Sequence, residues 1–263
     1  MKVPSTLIAC LAGASFLLVP PRASAQLRFS WNVRPLIRYI EGKVLMDGQS
    51  VALEPDNSYL PDGHVLGTAQ GRVQTSLASA FRSVTNAFLA ENSSLKLLSG
   101  QLPDQAIEVL SGSVILECRF RDKEAGAGVS VTFKDVTIDL SKTGEYRIDA
   151  DLGRLRVYSG EATVTRGVGL ECVDEGGCRR VVGRQDANTV QVHKGEQLNL
   201  DETLLTSTFD TKDTDVFYHW ARHRLSKTPG VLGFAPPPSP RGIYLPSTEN
   251  ASSTLPGMPP NWL

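Results

Sequence analysis

The 263-residue chain has almost no excess charge of either sign: 27 Lys and Arg stand against 28 Asp and Glu, for a formal net charge of −1. A broad basic face is missing, which argues against a nucleic-acid partner. Histidine is scarce, with residues only at 64, 193, 219 and 223. His219 and His223 are four apart and could share a helix face, but no glutamate occupies the zincin position between them, so a solvated polar face is expected. Asp149–Gly153 hints at a calcium loop but lacks the further oxygen ligands and the late glutamate. No serine lies in G-x-S-x-G, and glycine-rich phosphate loops are absent. The sequence therefore points to no enzyme, no cofactor and no metal site.

Long apolar runs are also lacking. The longest is Leu7–Val19, 13 residues, too short to span a bilayer and in the range of a signal peptide. Lys2 supplies the basic start and Ala23-Ser24-Ala25 an A-x-A cleavage site. Residues 1–25 are expected to be removed, leaving Gln26 first and an exported, soluble chain in the periplasm or outside the cell. Cleavage removes Lys2 and Arg22 but no acid, taking the net charge to about −3. Cys10 falls too early in the apolar run for a lipoprotein site.

What the chain does have is strand periodicity. Leu155–Val164 reads Φ-x-Φ-x-x-G-x-Φ-x-Φ, with Φ apolar: Leu155 and Val157, then Ser159-Gly160, then Ala162 and Val164. Period-2 alternation marks a half-buried strand, and the phase flips across Ser159-Gly160. A two-residue hairpin would give that flip, pairing Val157 with Ala162 and Leu155 with Val164 on one face. A strand turning a corner at the glycine would fit as well. The pattern recurs at Ile37–Met46, with Glu41-Gly42, and at Ile107–Leu116, with Ser111-Gly112. A looser copy surrounds Lys194-Gly195. The spacing is irregular, so this is not a solenoid period. The expected fold is all-β: one sandwich or β-helix-like module of packed hairpins, residues 26–209.

Between the copies, Val129–Phe133 and Val136–Leu140 read as strands around Lys134-Asp135, and Tyr146, Ile148 and Ala150 alternate. Ala78–Asn86 could be a short helix, but its β-branched residues and serines favour strand. The character changes at Asp210. Thr211–Lys227 has the features of a helix, capped by Asp210 or Thr211, with Asp213 and Asp215 at the positive end and Arg222, Arg224 and Lys227 at the other. Its stripe of Val216, Phe217, Trp220 and Ala221 should dock on the β module, so residues 210–228 are taken as a docked helix. From Pro229 to Leu263, nine of 35 residues are proline, which leaves too little apolar surface for a core and predicts a disordered tail over 229–263.

Of the three cysteines beyond residue 25, Cys172 and Cys178 bracket a turn-rich loop and are the expected disulfide, which would pin a loop tip. Cys118 follows Val114 and Leu116 on one face and is expected to be a buried thiol. Trp31, Tyr39, Arg156 and Tyr158 are candidates for an interaction surface, since Tyr and Arg are enriched at protein interfaces. Tyr158 could equally pack beneath a neighbouring loop.

Four segments in order carry a family resemblance: LKLLSGQLPDQAIEVLSGSVIL at 95–116, GEYRIDADLGRLRVYSGEATV at 144–164, VQVHKGEQLNLD at 190–201 and FDTKDTDVFYHWARHRLS at 209–226. They resemble the FecR domain, from about Arg38 to Ser226. The resemblance implies an exported all-β module, best known as the periplasmic half of anti-sigma regulators that sense iron-siderophore uptake through an outer-membrane receptor. The Gly167–Arg184 segment departs from that pattern. With a cleavable signal and neither a sigma-binding domain nor a spanning helix recognised, direct action on a sigma factor is not expected. The function expected is non-enzymatic binding, as a periplasmic adaptor or sensor engaging an envelope protein. The alternative is a carbohydrate- or envelope-polymer-binding module, if aromatic residues form an exposed platform.

Overall fold

The computed structural model describes residues 35–53, 58–80, 83–101, 104–120, 128–173, 177–182 and 188–228. The expected signal segment 1–25, the interaction candidate Trp31 and the proline-rich 229–263 lie outside them. In chain order the elements are β1 (Leu36–Met46), β2 (Gln49–Ser50), β3 (Val65–Ala80), β4 (Ser83–Leu89), β5 (Ser94–Ser99), β6 (Asp104–Ser111), β7 (Ser113–Phe120), β8 (Gly128–Phe133), β9 (Val136–Leu140), β10 (Gly144–Asp149), β11 (Arg154–Ser159), β12 (Glu161–Arg166), β13 (Val168–Val173), β14 (Gly177–Val182), β15 (Asn188–His193), β16 (Glu196–Asn199), β17 (Thr206–Thr208) and the helix α1 (Val216–Lys227). The class is all-β with one short C-terminal helix. Of the Ala78–Asn86 stretch, Ala78–Ala80 end β3 and Ser83–Asn86 open β4, the strand reading its β-branched residues favour.

The long β3 organises the sheet. Along one edge it pairs with β1. Along the other it pairs with β5 near Val65–Gly67 and with β4 from Val73 onward. Two arms therefore leave the same edge on either side of a bend and face each other. One arm runs β5-β6-β8-β9-β12-β15 and the other β4-β7-β10-β11-β16-β17. Among the described pairs only β6 with β8 is parallel, which excludes a β-helix and leaves a sandwich made from one folded sheet.

The glycine pattern is a corner, not a hairpin. β11 pairs with β10 and β16, whereas β12 pairs with β9 and β15. β6 and β7 likewise sit in opposite arms, as do β15 and β16. Around Gly42 the chain does not reverse at all: β1 runs straight through, with a register shift between Gly42 and Val44. Gly112 and Gly160 are each the single residue between two strands, too short for a two-residue hairpin loop, and they and Lys194-Gly195 pass the chain from one layer to the other. The one-face inference still holds, since Leu155, Val157, Ala162 and Val164 are all fully buried in the same core. Gly112 and Gly160 have φ of 70° and 90°, and a Cβ at Gly160 would run into the Tyr146 hydroxyl. That hydroxyl donates to Lys142 O at 2.8 Å and lies 3.1 Å from Glu161 O, so the largest fully buried side chain braces the corner.

The inter-layer core takes residues from both arms, including Leu95, Ile107, Leu116, Ile138, Tyr146 and Val192. Cys118 is buried in it and free of any disulfide, and burial raises its pKa. The β13–β14 hairpin lies outside the core, beside β5, β6 and β9, with Thr137 Oγ1 donating to Val168 O at 2.7 Å. Its ladder sets Cys172 directly opposite Cys178.

Helix α1 starts later than its sequence suggests. Asp210 accepts from Asp213 N and Lys212 N to close a turn of its own, both at 2.9 Å. Asp215, in an extended conformation, is the true N-cap and accepts from Tyr218 N at 2.9 Å. Val216 is consequently exposed, and the buried stripe is Phe217, Ala221 and Leu225 at helical spacing.

Candidate interaction face under the C-terminal helix

Helix α1 lies across the outer surface of the second arm. Its 12 residues, at about 1.5 Å each, span about four strand spacings of ~4.8 Å. Its start meets β10 and β11, and its end meets β3 and β1. Phe217, Ala221 and Leu225 pack on Phe88 and Ile115, a small apolar cluster distinct from the inter-layer core. Burial on both sides explains why every residue of β10 is buried.

The surface beneath is mainly polar. On β10, Tyr146 and Ile148 point into the core, so Glu145, Arg147 and Asp149 point out. The ladders then set like charges against each other. Glu145 is directly opposite Glu117 of β7, and Arg147 is directly opposite Arg156 of β11. Like charges in that position are destabilising unless something lies between them.

The helix supplies what the sheet lacks. Arg147 Nη1 donates to Asp215 Oδ2 at 2.7 Å, and Arg147 Nε donates to Asp149 Oδ1 at 2.7 Å. Arg154 and Arg156 stand 3.7 and 3.8 Å from Asp149. Tyr218 OH donates to Glu145 Oε2 at 3.1 Å, and Arg222 Nη1 lies 3.4 Å from the same oxygen. Glu117 is balanced within the sheet by Asn86 Nδ2 at 2.9 Å and by the Arg119 guanidinium.

These contacts shift the groups they bind. Burial raises the Glu145 pKa, with Arg222 and Tyr218 offsetting part of the effect and Glu117 adding to it. Burial opposes ionisation of Asp215, but the Tyr218 N–H and the Arg147 guanidinium outweigh it and hold its carboxyl low. Burial likewise works against the Arg147 charge, and Asp149 and Asp215 more than restore it. Tyr218 is pushed up to about 12 by burial and by Glu145.

Three of the four interaction candidates converge on this seam. Tyr39 lies under the Arg224 guanidinium, 3.6 Å from its ring centroid, with Trp220 at 6.4 Å. Arg156 belongs to the charged row. Tyr158 is buried, between Phe209 at 5.1 Å and Tyr218 at 4.6 Å. Of its two readings, packing beneath a neighbouring segment is the one the structure shows. Trp220 donates through Nε1 to Glu41 at 2.8 Å, and Gln74 Nε2 donates to Thr228 Oγ1 at 2.7 Å, tying the helix to β1 and β3.

Glu145, Arg147 and Glu117 have no functional reading in the sequence, and Asp149 only that of the calcium-loop hint, because alternate polar residues on a strand normally face water. The available signal was in the helix: Asp215, Tyr218 and Arg222 at i, i+3 and i+7 form one polar stripe that needs counter-charges.

Among the described residues no three His, Cys, Asp or Glu side chains gather as a metal site, and no helix is long and apolar enough to cross a membrane. No family model matches the chain, and no curated protein matches it. Among solved structures, two crystal structures of a protein from Parabacteroides distasonis assigned as an anti-sigma factor, at 1.65 and 2.50 Å, align at 11% identity with a TM-score of 0.38. The alignment covers 56% of this chain and 61% of that one. A likeness that shallow does not establish a shared fold or function.

Proposed function

We propose that the protein is an exported, non-enzymatic, FecR-like binding module that engages an envelope protein as a periplasmic adaptor or sensor. One observation carries the reading. The charged groups of the seam are satisfied across the helix–sheet contact, Arg147 by Asp215 and Glu145 by Tyr218 and Arg222. A catalytic site would instead aim such groups at an open cleft. The placement of Tyr39 and Arg156 on the same seam adds residue types that protein interfaces favour. The four FecR-like segments, in family order, support an exported sensor module.

Polymer binding is the weaker reading. A glycan platform needs open ring faces, whereas Arg224 covers Tyr39 and Arg72 stands over Trp220 at 5.8 Å. The test is cross-linked capture by the full chain in intact envelopes, with mass spectrometry of what is recovered. Enrichment of one receptor or inner-membrane regulator is expected. Recovery of polymer alone, or of nothing above background, would contradict the reading.

A further inference from the structure

We infer that the outer face of β4, β7, β10 and β11 is a helix-binding surface, that α1 is its displaceable resident, and that the partner engages it by inserting an amphipathic helix of the same charge pattern. This rests on the binding reading above and says how that binding is done.

The argument begins with charge. Taken alone, the face presents Arg147 opposite Arg156 and Glu145 opposite Glu117. A face evolved only to be capped would be apolar, as the inter-layer core is, since replacing buried ion pairs by packed apolar residues commonly costs nothing. This one instead specifies its occupant. Within the sheet, Asn86 and Arg119 answer Glu117 and Asp149 answers part of the arginine charge; what remains is a call for a carboxylate at Arg147 and for a hydroxyl and a cation at Glu145. Asp215, Tyr218 and Arg222 meet that demand, while Phe217, Ala221 and Leu225 fill the apolar row between Phe88 and Ile115. A partner helix must match it: acid at i, aromatic at i+2, hydroxyl donor at i+3, small residue at i+6, cation at i+7 and aliphatic at i+10.

The second argument concerns separability. None of the α1 side chains belongs to the inter-layer core. Of what α1 supplies, the charged side chains of Asp215 and Arg222 are 50% and 54% exposed, and the apolar row of Phe217, Ala221 and Leu225 is buried on a cluster separate from that core. Exposed pairs are weak and exchangeable, so α1 can leave while the sandwich stays folded. The segment before α1, Asp210–Thr214, is in no strand.

The probe is a labelled synthetic peptide of residues 213–228, titrated into the full chain and into full-chain A221E. Ala221 is buried against the face, and a glutamate there expels the helix while leaving the sheet unchanged. In the wild type the tethered α1 competes at an effective concentration of about millimolar. A221E is expected to bind the peptide at least about tenfold more tightly than the wild type. Binding should then be lost when Arg147 is also changed to Met. If A221E retains the wild-type β spectrum and cooperative unfolding yet does not bind the peptide, the proposal is overturned. Should A221E not fold, L225K releases the less critical end of the helix and is read in the same way. Failure of both to fold while L116A folds would also overturn it, because α1 would then be inseparable from the sandwich. Envelope capture separates this proposal from the broader one. A partner captured equally by wild type and A221E, with no peptide binding, leaves the binding reading standing and removes this one. Peptide binding with no captured partner does the reverse.

Discussion

The two interfaces that β7 and β10 share differ in kind. Toward the other arm they present Val114, Leu116, Cys118, Tyr146 and Ile148, all buried and nearly all apolar. Toward α1 they present Ile115, packed on the helix's apolar row, and the polar set Ser113, Glu117, Glu145, Arg147 and Asp149, held by hydrogen bonds and ion pairs. The first face asks only for apolar volume and fixes the fold. The second asks for particular charges in particular places, and it discriminates among occupants. On the binding proposal above, stability and recognition are assigned to opposite faces of the same strands.

Substitutions on the two faces should separate accordingly. Leu116→Ala should give the largest effect, a loss of about 2–5 kcal/mol, because it opens a cavity between the layers. Denaturant unfolding should then show sheet and helix signals falling together at a lower midpoint. Arg147→Ala should cost about 3 kcal/mol, the low end for breaking a buried pair, since Arg154 and Arg156 remain beside Asp149. Its signature is loss of α1 order before the sheet melts, visible as Trp220 emission shifting ahead of the β circular dichroism.

Asp215→Ala should cost about 1 kcal/mol by removing the N-cap. It should also change the pH profile of folding stability. The Asp215 pKa is depressed in the fold, so its contribution is present above 3.8 and is lost as pH falls through the lower folded value. Glu145 has the opposite sign. Its raised pKa makes its contribution full below 4.5 and diminished as pH rises through the folded value. Folding stability should therefore gain from Glu145 as pH falls toward 4.5 and lose the Asp215 contribution below 3.8; D215A should remove the second limb and E145Q the first. The smallest effect belongs to the β13–β14 hairpin, outside both interfaces. Cys172 and Cys178 are directly opposed there, and intact-mass analysis before and after reduction should show one disulfide. Replacing both by serine should lower the global unfolding free energy by less than about 1 kcal/mol, because so small a ring pins a loop tip and little else.

The same contrast explains what was legible in the sequence. Period-2 alternation at Leu155–Val164 and its copies announced the strands and the shared core face, because apolar volume is written locally. Whether Gly112 and Gly160 make hairpins or corners depends on which distant strands receive each half, and a ten-residue pattern does not hold that information. The helix was visible, but its true cap was displaced to Asp215 because the competing turn at Asp210–Asp213 could form only outside it. Arg156 and Tyr39 stood out by residue type. Glu145, Arg147 and Asp149 did not, because what makes them unusual is the helix above them, 68 residues away from Arg147 in sequence.

The account depends most on α1 being energetically separate from the sandwich it covers. Hydrogen exchange on the full chain, followed by mass spectrometry, measures this directly. The expected result is that Val216–Lys227 amides exchange at least about tenfold faster than those of β4, β7 and β10, through an opening that leaves the sheet protected. If the α1 amides exchange only with global unfolding, at the same protection as those strands, the helix is a fixed part of the fold and the face beneath it is not a binding surface.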